Sequence, residues 1–147
     1  DSDQSVTSAQ KAAHDISPAV IANELREYKE KVFPSRPGAL RIKDMNLGSG
    51  IPAVCGQEVN IAYSTFLPDG TPYTDGATKD APFTYVLGEQ KVMPVFLHGV
   101  IGMQPGGMRS IYTPPQYAYG VQGFTKDDVP QNALMRFDIS LVSTAPP

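Results

Sequence analysis

Reactive side chains are few and scattered in this sequence. Cys55 is the only cysteine, and the two histidines, His14 and His98, lie far apart. No Cys/His pair, Ser-His-Asp set, phosphate loop or metal-ligand spacing can be assembled from the sequence. A lone cysteine cannot close an internal disulfide, so Cys55 is expected to be a small buried core thiol. Aromatic residues are more telling. PPQYAYG, residues 114–120, sets Tyr117 and Tyr119 one residue apart, behind two prolines that cannot donate backbone hydrogen bonds. A buried strand favours plain hydrocarbon, and a surface loop has little use for two large rings. The segment therefore predicts a strand that ends, a sharp bend, and at least one tyrosine aimed into a cavity. The plainer alternative is two packing tyrosines with satisfied hydroxyls, as buried tyrosines usually are. Neither reading needs a nucleophile or a cofactor.

The elements that would position these rings fit in one domain. The chain has 147 residues, 41% of them hydrophobic and 18% charged, within the range of an ordinary globular domain. A net charge of −3 gives no reason to expect nucleic acid or an anionic membrane surface as a partner. No apolar run approaches the ~18 residues of a membrane-spanning helix. The 14 prolines and 13 glycines favour many short elements joined by turns.

Residues 1–16 are small and polar without a sustained period, which predicts a flexible tail. Ser17-Pro18 is a helix start, with an N-cap hydroxyl before a proline at the first helical position. Ile21, Leu25, Tyr28 and Val32 follow at helical spacing, and Pro34 and Pro37 stop the helix. Residues 17–37 thus read as a helix followed by a linker, the helix either solvated with one packed stripe or one that binds a partner or dimerises. Beyond Gly38 the period changes to that of strands. Leu40 and Ile42 start one, Val59, Ile61 and Tyr63 alternate in a second, and Phe83, Tyr85 and Leu87 in another. Pro68-Asp69-Gly70 is a turn. Val92, Phe96 and Val100 predict one short helix over 92–100, with Pro94 tolerated only in its first turn. Gly106-Gly107 turns into MRSIYT, and residues 134–141 alternate as the closing strand. The sum is α+β: an antiparallel sheet wrapped around one short helix.

Four segments fall into a known order: YSTFLPDGTPY (63–73), APFTYVLGEQKVMPVF (81–96), GMQPGGMRSIYTPPQYAYG (102–120) and VPQNALMRFDISLV (129–142). Together they resemble the FKBP-type peptidyl-prolyl cis-trans isomerases over residues 38–143. The helix leading into FPSRPGALRIKDMNLGSG is similar to the helical linker of exported bacterial members, the macrophage infectivity potentiator group. The resemblance implies an FKBP-like domain over 38–147 that acts on X-Pro bonds. Its pocket would be lined by Tyr63, Tyr73, Phe83, Val92, Met93, Phe96, Tyr119, Val129 and Phe137. The Tyr119 hydroxyl would bond a carbonyl of the bound peptide, with Tyr117 a core or wall residue beside it, and Met93 would contribute its backbone N–H. Proline-containing polypeptides are the implied substrates, macrolides such as FK506 or rapamycin the implied ligands, and no cofactor or metal is expected. A monomer is expected, periplasmic or secreted, since the first residue is Asp rather than Met and a removed export signal would explain it.

The chain departs from the family pattern at several positions. Tyr73-Thr74 stands where the family has Phe-Asp, so Thr74 falls at the place of the pocket carboxylate. Phe96 stands where many active members have tryptophan. The loop VQGFTKDD, 121–128, carries about one extra residue by comparison with the family, and Phe124 could supply a flap. These changes keep a second function open, an FKBP-fold module or chaperone that holds a peptide or partner protein with little turnover.

Overall fold

The structure, a computed structural model, describes residues 16–32, 40–89, 91–118 and 133–145, with the side chains of 74–76 left aside. The sequence expectations for residues 1–15, for Pro34 and Pro37, and for 119–132 lie outside the described residues.

Six strands form one antiparallel sheet: β1 (Arg41–Asn46), β2 (Glu58–Phe66), β3 (Pro72–Ala77), β4 (Phe83–Val86), β5 (Met108–Thr113) and β6 (Met135–Thr144). Their order is β1-β5-β6-β2-β3, and β4 also pairs with β2. The first half of β2 takes β4 as its neighbour, from Glu58↔Val86 to Ile61↔Phe83, and the second half takes β3. This division is possible because both partners are short. The β2–β3 hairpin turns where the sequence predicts. Gly70 N–H donates to Leu67 C=O at 2.8 Å, Gly70 sits at φ +87°, and the Asp69 carboxylate accepts from Thr71 N–H.

One face of the sheet holds the main core. Val59, Ile61, Tyr85, Ile111, Met135, Phe137, Ile139 and Leu141 pack there against Val95, Phe96 and Val100. The last three belong to or flank α2 (Val95–His98), a single turn rather than the longer helix predicted over 92–100. Pro94 occupies its N-cap, the place a proline can occupy without breaking a hydrogen bond.

The opposite face is covered by α1 (Pro18–Glu27), which continues into a π-helical turn over Tyr28–Val32. Its stripe of Ile21, Leu25 and Tyr28 is fully buried against Phe66 and Tyr112. The predicted helix therefore forms, and its apolar stripe is matched by outward-pointing rings of the sheet. As a result β6 is buried on both faces. Arg136 and Asp138, the polar alternates of Phe137, lie under α1 instead of facing water.

One expectation needs correction. Cys55 is exposed. It sits at the tip of a turn in which Gln57 N–H returns to Val54 C=O and Gly56 takes φ +89°, so its side chain points away from the core. Ile42 lies on the expected strand and is 40% exposed. It pairs with Ile111 and so shares the core's side of the sheet, but β1 is the edge strand, which leaves its side chain open to solvent.

Candidate active site

β2 brings Tyr63 and β4 brings Phe83 and Tyr85 to the core face, α2 supplies Phe96, and β6 supplies Phe137. Strand period explains the four placements on strands: Phe83 and Tyr85 are two apart, and Phe137 lies between two residues committed to the other face. Phe96 lies 5.0 Å from Tyr63, 5.4 Å from Phe83 and 6.0 Å from Phe137, ring centre to ring centre, each pair edge-to-face. Tyr63 and Phe83 are also edge-to-face at 6.2 Å. These are attractive geometries for quadrupolar rings, worth about 0.5–1.5 kcal/mol each beyond buried area.

The cluster is graded. Phe96 and Phe137 are buried, while Tyr63 and Phe83 are half-buried, so the rings, hereafter the cup, grade from a buried floor to a half-exposed lip. Val92 and Met93 are half-buried and pack against it, and Tyr73 lies in the same cluster at the limit of burial. Met93 C=O accepts from Phe96 N–H at 2.9 Å, which places Met93 at the entry to α2. Seven of the predicted site residues are thus brought together: Tyr63, Tyr73, Phe83, Val92, Met93, Phe96 and Phe137. Tyr119 and Val129 lie outside the described residues, as does the side chain of Thr74. β3 itself shifts register between its pairs Thr65↔Tyr73 and Tyr63↔Ala77, and Thr74 falls within that irregularity.

Sequence reasoning placed Tyr85 on a strand but gave it no part in the site. Its hydroxyl donates to Phe96 C=O at 2.6 Å, buried, and its ring stacks on Phe83 at 5.0 Å and 26°. Its alternation with Phe83 was the one available signal. The partner carbonyl, on another element, leaves no trace in a sequence. Burial pushes the Tyr85 phenol well above its ordinary value, so it stays a neutral donor.

His98, exposed at the end of α2, stacks on Tyr117 at 5.1 Å and 18°. Tyr117 ends a 3-10 turn, Pro115–Tyr117, that follows β5, so the strand end and bend predicted from PPQYAYG are present.

A cavity of about 240 Å³ opens on the α1 side of the sheet, lined by Ala62, Tyr63, Ser64, Phe66, Asp138 and Ser140 among others. Its one carboxylate is already committed. Asp138 accepts from Ser110 and from two guanidinium nitrogens of Arg136 at 2.8–3.0 Å. The aromatic cup, whose clustered side chains carry no charge, is the better candidate.

A bent antiparallel sheet holding a one-turn helix, with an aromatic cup between them, defines a known class of fold. The solved structure titled "Crystal structure of AtFKBP13" superposes with a TM-score of 0.65 at 28% identity, over 74% of this chain and 95% of that one. The family model for FKBP-type peptidyl-prolyl cis-trans isomerase matches residues 50–142. The chain belongs to that family. It is 37% identical over 117 residues to "FK506-binding protein 3" of Candida albicans, covering 78% of this chain and 27% of that protein. It is 31% identical over 105 residues to "FK506-binding protein" of Neisseria meningitidis, covering 71% of this chain and 95% of that one. The chain thus spans about a quarter of the fungal relative's length and nearly all of the bacterial one's.

Proposed function

We propose that this chain is a peptidyl-prolyl cis-trans isomerase acting on X-Pro bonds of polypeptides. The observation that carries the reading is the cup of Tyr63, Phe83, Phe96 and Phe137, four uncharged rings packed edge-to-face with a buried floor and a half-buried lip. Amide resonance sets a cis/trans barrier of ~18–20 kcal/mol. Water solvates the planar, polar amide better than the twisted one, whose resonance is lost. A cup that excludes water and fits a proline ring withdraws that solvation from the planar form and binds the twisted form better. Neither a covalent step nor a cofactor is needed.

Phe96 standing in the place of the family's tryptophan favours a second reading, a module that holds proline-containing segments or a partner protein with little turnover. The two differ in turnover, since a binding module would engage the peptide without accelerating exchange between its isomers. The names of the relatives support FK506 as a ligand of the same cup. Calorimetric titration with FK506 tests the cup, and exchange NMR on a proline peptide tests the turnover. The likeness of the helix and linker to exported bacterial members supports a periplasmic or secreted location, which fractionation of the source cells would test.

A further inference from the structure

The Phe96 ring is central to the cup, meeting Tyr63, Phe83, Tyr85 and Phe137, yet its backbone belongs to a helix only four residues long. One turn of helix leaves its final carbonyls without helical partners. Gly99 N–H returns to Val95 C=O, and the next two amides, Val100 and Ile101, both go to Leu97 C=O at 3.2 and 3.0 Å. The Phe96 carbonyl is passed over, and the Tyr85 hydroxyl takes it at 2.6 Å. The carbonyls beyond are held from the other side. Arg109 Nη1 donates to Gly99 C=O and Ile101 C=O, both at 3.0 Å, while its Nε pairs with Asp44. The end of α2 is therefore tied down by two side chains, Arg109 toward solvent and Tyr85 inside the core.

We propose that Tyr85 is a positioning residue of the isomerase site, acting through Phe96: its hydroxyl fixes the carbonyl of α2 that sets the floor ring of the cup. The inference rests on the isomerase reading given above. Tyr85 need not touch the substrate. It is 4% exposed, stacks on the lip residue Phe83, and bonds the floor residue's backbone, so it couples lip to floor. Phenylalanine would keep the ring stack and lose only the tie. A buried carbonyl deprived of its donor seeks another partner, and the single turn that carries it is free to shift.

The experiment is a double-mutant cycle. Tyr85→Phe, Phe96→Leu and the double variant are compared with the wild type for kcat/KM on a proline tetrapeptide and for melting temperature, with Phe96→Met as the substitute if leucine unfolds the protein. Tyr85→Phe should lower kcat/KM about five-fold in the wild-type background and leave it unchanged when Phe96 is already truncated, because residues acting as a unit are non-additive. A merely structural tyrosine would lower stability equally in both backgrounds without that asymmetry in activity. Unchanged activity in Tyr85→Phe, or equal losses in the two backgrounds, would overturn the proposal. If the wild type shows no turnover, the isomerase reading fails by itself. The positioning role is then decided by the Phe96 ring resonances in NMR spectra, where a shift in Tyr85→Phe supports it and unmoved signals refute it.

Discussion

Phe137 is fully buried between neighbours committed to the opposite face, and its ring meets Phe96 at 88°. It is at once floor of the cup and centre of the core. Truncating such a ring removes transfer free energy and leaves a cavity, so Phe137→Ala should cost about 3–5 kcal/mol in urea denaturation and abolish FK506 heat at the same time. A variant that lost binding while keeping its stability would show that the ring serves the cup alone. Three tyrosines give a second prediction. Burial raises the phenol pKa of Tyr28 from 10.0 to about 12, and raises those of Tyr85 and Tyr112 well above their ordinary value. In the unfolded chain they ionise near 10.0, while in the folded chain they keep their protons. The unfolded state then binds fewer protons, so stability holds below pH 10 and falls above it. Melting temperatures from pH 8 to 11.5, read beside tyrosinate absorbance, should show the fall begin at about pH 10. A flat profile would mean these phenols ionise freely in the fold.

Among the elements, α1 is clamped rather than merely laid on the sheet. Arg136, fully buried, holds Asp138 with Nε and Nη2, and reaches Glu24 of α1 with Nη1 at 2.7 Å. Burial alone would lower the pKa of Arg136, but Asp138 and Glu24 outweigh that and keep it charged. Lys43 adds a longer contact with Glu24 at 3.9 Å and lies over the Tyr112 ring. Removing one member of a buried ion network strands the others, so Arg136→Ala should destabilise by about 3–5 kcal/mol. Glu24→Gln, nearer the surface, should cost less. Measurement of both by urea denaturation would contradict the clamp if Arg136→Ala cost no more than Glu24→Gln. The start of α1 is fixed by close approach. A Cβ on Gly70 would collide with the Pro18 carbonyl, and Gly70 also holds φ +87°. Gly70→Ala should therefore push the helix start off the hairpin, costing at least about 1–3 kcal/mol from the backbone strain alone. Hydrogen exchange would localise the damage to residues 18–22. Uniform exchange across the domain would argue against a tight joint there.

These contacts also mark what a sequence can and cannot disclose. Alternation in β2, β4 and β6 identified the core face, because a strand's period fixes which side chains travel together. It could not say what lies over the other face. Arg136 and Asp138 look like solvent-facing alternates until α1 is seen to cover them, with the stripe of Ile21, Leu25 and Tyr28 meeting Phe66 and Tyr112. Ile42 is the mirror case: it shares the core's side of the sheet, but its edge strand leaves it 40% exposed. Cys55 was judged by residue type, and a turn built on Gly56 overrode the type. In the cup, the rings could be named from the family likeness, whereas the Tyr85–Phe96 bond joins a side chain to a backbone on another element and has no sequence signature.

At the scale of the whole molecule, one sheet serves two purposes. Its core face holds the cup, its other face holds α1, and β6 links them by alternating Phe137 with Arg136 and Asp138. Among the described residues no helix is long and apolar enough to cross a membrane. The central claim is that the cup turns over X-Pro bonds rather than only holding them. The most direct test is the kinetics of a proline tetrapeptide series at several protein concentrations, with and without FK506. The expected isomerisation rate rises linearly with protein concentration, differs with the residue before proline, and returns to the uncatalysed value when FK506 saturates the cup. A rate that stays at the uncatalysed value while FK506 still binds would contradict it and leave a binding module.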